Sequence, residues 1–267
     1  MTLTRRDLIL GSAAAATAAL GDTTQAAAPK KAPVLGLIFP PDRTAIPEEG
    51  LAMYGDRLRY VTVGLGIERM TPEGFDAALS RIPAAARQLA AAGAEAIELT
   101  GTSLTFYKGE AFNRQLRETV MAVSGLRATT MSNGVIEGLK KLGARRVAVA
   151  TAYNETVNER LRAFLIEHAL EPVLIEGMGI EAMTDIDKVT QQDLIDFCAR
   201  VQAKARGSDS LLVSCGGFRT LEIIAPLEKR TSVPVISSMP HGLWAGARLV
   251  GLDGAAPGYG KLLSRKG

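Results

Sequence analysis

The feature that most restricts this chain is an alternation, kept up along most of its length, of short apolar runs with helical segments. Runs of strand length fall at Val34–Phe39, Arg59–Val63, Ala96–Leu99, Ala128–Met131, Arg146–Ala150, Val173–Glu176, Leu211–Val213 and Val235–Ser237. Between them the pattern turns helical. Thr71 as N-cap with Pro72 at the first helical position opens a helix expected to reach about Ala92, where Gly93 closes it. Further helices are expected over Ala111–Val123, Gly134–Leu142, Thr156–Ala169, Thr190–Ala205, Thr220–Lys229 and His241–Val250, with an irregular stretch at Gly177–Asp187. Strands that alternate with helices predict an α/β fold of parallel sheets flanked by helices.

The two halves repeat each other. Thr130-Met131-Ser132-Asn133-Gly134 matches Ser238-Met239-Pro240-His241-Gly242, and Gly138 and Gly143 match Gly246 and Gly251 at the same offset. The folding order sets Gly101 against Cys215, and Val34–Pro40 against Val147–Tyr153. Two pseudo-symmetric lobes follow, each with a central parallel sheet: residues 29–142 and 143–250, with the tail 251–267 packing back on the first. Such symmetry brings both strand-end turns to one cleft.

Cys215 then stands out. It ends the run Leu211–Val213 on the turn Ser214-Cys215-Gly216-Gly217, and a helix follows. Open α/β sheets bind ligands at such strand ends, and the glycines let backbone N–H groups approach an anion. Taken alone, the cysteine is equally a small buried apolar residue. Composition excludes other classes. The 267 residues hold two cysteines (Cys198 and Cys215) and two histidines (His168 and His241), too few for a disulfide framework or a zinc set. Net charge is +3 with the basic residues scattered, so no nucleic-acid footprint is expected. Cys198 falls on a helix and reads as core; His241 falls at a strand-end turn and reads as a surface turn residue, with a place facing the cleft as the alternative.

The first 28 residues read as a processing segment. Arg5-Arg6 precede the weakly apolar Gly11–Leu20 and the small residues Ala26–Ala28. These are the regions of a twin-arginine export signal, cleaved between Ala26 and Ala28, which implies the export machinery as a partner and a periplasmic location. The apolar run is too short and alanine-rich for a lasting membrane anchor.

On particular motifs the chain resembles the aspartate/glutamate racemase superfamily, and more closely its arylmalonate decarboxylase branch, over nearly all of Val34–Leu263. The motifs are Gly101–Tyr107, Thr130–Ser132, Arg145–Tyr153, Asn158–Leu161, Ser214–Gly217, Met70–Phe75 and Pro257–Gly260. Racemases of this superfamily carry a cysteine on each strand-end turn; here the first position is Gly101 and only Cys215 keeps a thiol. The resemblance implies a decarboxylase that needs no cofactor or metal and acts on a small dicarboxylate, a disubstituted malonate. Thr102, Ser103 and Tyr153, with backbone N–H groups around Ser103, Cys215 and Gly216, would hold the retained carboxylate. Pro40, Ile67, Met70 and Phe75, joined by Met183, would form an apolar pocket for the departing one. Glu68 and Arg69 are larger than their counterparts in the family, and are expected to narrow the aryl pocket or add a carboxylate contact. Two other readings stand beside this one: a racemase or isomerase of the maleate or amino-acid type that has lost one thiol, and a non-catalytic exported carboxylate-binding protein.

Overall fold

The computed structural model describes residues 31–42 and 45–265, so the export segment read from the sequence lies outside the described residues. The first sheet holds β1 (Val34–Phe39), β2 (Arg59–Gly64), β3 (Ala96–Leu99) and β4 (Arg127–Thr130) in the order β2-β1-β3-β4. The second holds β5 (Arg146–Thr151), β6 (Glu171–Gly177), β7 (Ser210–Ser214) and β8 (Val235–Ser237) in the order β6-β5-β7-β8. Every pairing is parallel. Inner strands such as β1 and β7 are buried at every position, as unbroken apolar runs must be when helices cover both faces. In each sheet the strand order reverses beside the first strand of the lobe. The carboxyl ends of β1 and β3, and of β5 and β7, therefore flank a crevice where an open sheet takes its ligand.

The helices of the first lobe are α1 (Glu48–Tyr54), α2 (Pro72–Leu79), α3 (Ile82–Ala91), α4 (Thr102–Phe106), α5 (Glu110–Ser124) and α6 (Met131–Lys141). Those of the second are α7 (Glu155–Glu167), α8 (Met183–Ile186), α9 (Gln191–Lys204), α10 (Leu221–Thr231) and α11 (Ser238–Leu249). The single helix expected from Thr71 to Ala92 is two. Thr71 does cap α2, its Oγ1 accepting Gly74 N at 3.3 Å. Pro83, however, has no N–H to return to the Leu79 carbonyl, so the chain breaks at Ser80-Arg81 and restarts as α3. The irregular stretch Gly177–Asp187 contains the short α8. Both α6 and α11 start directly at the ends of β4 and β8, three residues earlier than the pattern implied.

The lobes meet chiefly through α6 and α11. A Cβ on Gly134 would lie 2.5 Å from His241 O and 3.0 Å from Gly242 Cα, so the matched glycines are what lets the two helix backbones touch. The ladders also refine the repeat. Leu35 pairs with Ala96, and Val147 with Ser210, which leaves Gly101 and Cys215 the same distance past their pairing points. Pro40 then answers to Ala152, one residue short of the Tyr153 expected. The tail touches both lobes: Tyr54 Oη donates to Gly254 O at 3.1 Å, and Lys261 N to Glu228 Oε2 at 2.9 Å.

Candidate active site

The sheet order alone brings four strand ends together, and the local chemistry of each decides what faces the cleft. β3 runs out through Thr100 into Gly101, whose φ of +86° belongs to the left-handed region that side chains avoid. A Cβ there would also collide with the Pro40 ring. The turn is therefore tight enough for α4 to begin at once, which sets Thr102 and Ser103 at its start. α4 is pinned from the next helix: Thr105 Oγ1 lies 2.6 Å from Ser132 Oγ, and Ser132 Oγ donates to Thr102 O at 3.1 Å. Thr102 Oγ1 is 2.7 Å from Ser238 Oγ, at the start of α11 in the other lobe.

β7 ends at Cys215 in the second lobe, and a Cβ built on the neighbouring Gly216 would lie 3.8 Å from Gly101 N. The two turns thus meet face to face. Cys215 is 2% exposed. Burial pushes its thiol up to about 11, although backbone N–H groups of Gly217 and Phe218 point at the sulfur and act the other way. Cys215 is accordingly an S–H group at neutral pH, and those two N–H groups wait for the thiolate. Tyr153, at the end of β5, is fully enclosed. Its hydroxyl lies 3.3 Å from Ser214 Oγ and interacts with Thr102 and Ser103. Burial, then the neighbouring Cys215, holds its pKa well above the usual tyrosine range, so it serves as a neutral hydroxyl.

Between the turns lies a cavity of about 240 Å³. Of the residues expected from the sequence, Pro40, Met70, Gly101, Thr102, Ser103, Met183, Cys215 and Gly216 line it. Tyr153 stands behind the Thr102–Ser103 hydroxyls rather than in the wall. Ile67 and Phe75 correct the expectation: both are buried in the core, Phe75 with its ring 5.1 Å from that of Tyr107, and neither reaches the cavity. Glu68 and Arg69 do not narrow it either. Arg69 pairs outward with Glu181, and Glu68 offers its carbonyl to Met183 N at 3.0 Å; Met70 N donates to Glu181 O at 2.8 Å. These bonds form a two-way strap between the lobes that brings Met70 and Met183 together. His241 is not a surface residue. It is 1% exposed, with Nδ1 2.8 Å from Ser237 O, and burial pushes its pKa down to about 4, which keeps it neutral. Cys198 is fully buried on α9.

The cavity has walls the sequence reading passed over, among them Pro41, Asp42, Ile186 and Met239. Met239 had a signal, since the repeat matches Met131-Ser132 with Met239-Pro240. Its partner Met131 supports the site from below, its Sδ 3.6 Å from Thr102 Oγ1 and 3.0 Å from where a Gly216 Cβ would stand.

The sequence model of the arylmalonate decarboxylase family matches residues 35–263. The chain belongs to that family. It is 45% identical to arylmalonate decarboxylase of Bordetella bronchiseptica over 231 residues, covering 86% of this chain and 96% of the relative. A liganded double variant of arylmalonate decarboxylase, glycine to cysteine and cysteine to serine, superposes with a TM-score of 0.84 at 43% identity, over 87% of this chain and 99% of that one. The two positions changed in that variant are spaced as Gly101 and Cys215 are here. Maleate isomerase of Pseudomonas putida shares the fold, with a TM-score of 0.81 at 21% identity, over 89% of this chain and all of that one.

Proposed function

We propose that this enzyme decarboxylates disubstituted malonates that carry an aryl group, giving a 2-aryl carboxylic acid of one hand and CO₂. The observation that carries the reading is the pairing of one thiol with one glycine across the cavity. Racemisation needs a proton taken on one face and delivered on the other, which a single thiol cannot do. Decarboxylation needs only the delivery.

In this reading the retained carboxylate sits on the hydroxyls of Thr102 and Ser103, steadied by Tyr153 and Ser238. The other carboxylate lies among Pro40, Met70 and Met183, where its charge is poorly solvated and release as neutral CO₂ is favoured. The bond from the α-carbon to that carboxyl breaks, and its electron pair passes into the retained carboxylate as an enediolate. Donors fixed in advance around such an oxyanion contribute about 10²–10³ each in rate. Cys215 gives its S–H proton to the α-carbon from its own face. The thiolate left behind is met by the N–H groups of Gly217 and Phe218 until water returns a proton. Atoms and charge balance within substrate, thiol and water, which supports a reaction without metal or organic cofactor.

Methyl(phenyl)malonate decides the reading. CO₂ release by the dialysed, chelator-treated enzyme is the expected result, and binding without release would make the protein a carboxylate carrier.

The proposal extends to location. Arg5-Arg6 and the small-residue stretch precede the region that the family matches, which supports an appended twin-arginine signal and a periplasmic enzyme. Replacing Arg5-Arg6 with two lysines should leave the precursor in the cytoplasm. Cytoplasmic fractionation with Arg5-Arg6 intact would end that part of the reading.

A further inference from the structure

The turn that carries the thiol is anchored by the buried Phe218, but Gly216 and Gly217 add no side chains of their own, and a second cavity of about 440 Å³ adjoins them. What ends the turn is α10, whose N-cap Thr220 makes no side-chain cap. The first N–H groups of a helix have no acceptor within it and must find one elsewhere.

Here the acceptor comes from the other lobe. Glu49, in the first turn of α1, receives Thr220 N at 2.7 Å and Leu221 N at 2.8 Å on one carboxylate oxygen. The Thr220 hydroxyl donates to Ser237 Oγ at 3.0 Å. Glu49 is half-buried, and burial pushes its pKa up to about 7 while the two N–H groups act the other way. Its ionised form also meets the positive end of the helix dipole, and its neutral form still offers a carboxyl oxygen to both N–H groups. The neighbouring ion pair of Glu48 with Arg219, 2.8 Å apart, is exposed on both sides and contributes little.

We infer that Glu49 is a positioning residue: by capping α10 from across the cleft, it fixes the Cys215–Thr220 turn and so the face from which the thiol delivers its proton. This rests on the reading of Cys215 as the proton donor. Without the cap, the turn gains freedom toward the second cavity, and the thiol loses its alignment with the α-carbon while the Thr102–Ser103 hydroxyls keep theirs. Substrate binding then survives and proton delivery suffers.

The test uses the wild type, Glu49→Ala and Glu49→Gln, with two readouts. The first is alkylation of native protein by iodoacetamide, resolved by peptide mass into Cys215 and Cys198. Cys198 is fully buried on α9, away from the turn, and reports general loosening. In Glu49→Ala, Cys215 should react about fivefold faster or more through local opening, with Cys198 unchanged. The second readout is turnover of methyl(phenyl)malonate. For Glu49→Ala, kcat should fall about tenfold with KM little moved, and the product should lose enantiomeric purity. Glu49→Gln keeps an oxygen that accepts both N–H groups and should recover most of each loss. Should Glu49→Ala fail to fold, Glu49→Asp, one methylene short of the cap, gives the same comparison. Unchanged Cys215 alkylation, Cys215 and Cys198 rising together, or Glu49→Gln no better than the truncated variant would each overturn the proposal. If the wild type releases no CO₂, the proposed function fails, and the alkylation contrast still decides whether Glu49 holds the turn.

Discussion

The third strands of the two lobes end differently, although the chain repeats the same design. β3 ends in a tight turn at Gly101, strained in φ and closed by Pro40, and a helix follows at once. β7 ends in the open turn Cys215-Gly216-Gly217, and its helix starts only after Thr220. The tight turn delivers hydroxyls at fixed positions, braced by Ser132, Ser238 and Tyr153. The open turn delivers one thiol, with backbone N–H groups behind it. In the proposed mechanism the two turns divide the work, the tight one holding the carboxylate and the open one moving the proton.

Removing the proton-moving half should have the largest effect. Cys215→Ala should lower decarboxylation by about 10²–10⁴, the usual worth of a positioned general acid, with the thermal transition little changed. Activity within a few-fold of wild type would end the assignment of the acid to this turn.

Making the turns alike is the sharper test. Gly101→Cys sets a second thiol on the opposite face of a bound enediolate. It should gain slow racemising activity toward 2-arylpropionates, and its decarboxylation product should lose optical purity. The Pro40 ring stands where the new Cβ must go, and the positive φ costs about 1–2 kcal/mol, so decarboxylation and stability should both fall. Pairing the change with Pro40→Ala should restore part of the stability. Chiral chromatography of one enantiomer incubated with folded variant in D₂O reads the outcome. No inversion and no deuterium at the α-carbon would mean that the two turns do not serve one bound molecule.

What could be read in advance divides along the same physical line. Strands such as Val34–Phe39 and Ala96–Leu99 were legible to the residue, because buried parallel strands need unbroken apolar runs between turn residues. α1 and α8 were not: each is very short and is held by contacts from elsewhere in the chain rather than by its own period. The thiol, its glycine counterpart and the Thr102–Ser103 pair were legible from motif and repeat. Ile67 and Phe75 show where that reading stops. A cavity wall and a core ask for the same apolar side chain, so sequence cannot say which of them a residue faces. Glu49 lies 171 residues from the helix start it caps, a distance at which no local signal exists.

The comparison also reaches below the turns, where the effect on catalysis should be smallest. Glu98 sits three residues before Gly101, and Leu212 three before Cys215; both are fully buried. The glutamate faces α11, where a Cβ on Gly242 would collide with its Oε1 and one on Gly246 would lie 3.1 Å from Oε2. Neither carboxyl oxygen has a hydrogen-bond partner among the described residues. Burial therefore pushes Glu98 up to about 8, and the native protein holds it as a neutral acid. An unfolded chain releases that proton near the ordinary value of 4.5. Between the two values the native state binds the extra proton, so stability falls as pH rises. The favourable contribution is complete below about 4.5 and lost as pH passes through about 8. Glu98→Leu, which gives the first lobe the residue of the second, removes this group from the balance. In urea unfolding at a series of pH values, the wild type should lose stability relative to Glu98→Leu by at most about 1.4 kcal/mol per pH unit across that window. Parallel pH profiles for the two proteins would show that Glu98 does not titrate there, and that the lobes differ at their turns but not in the interface beneath them.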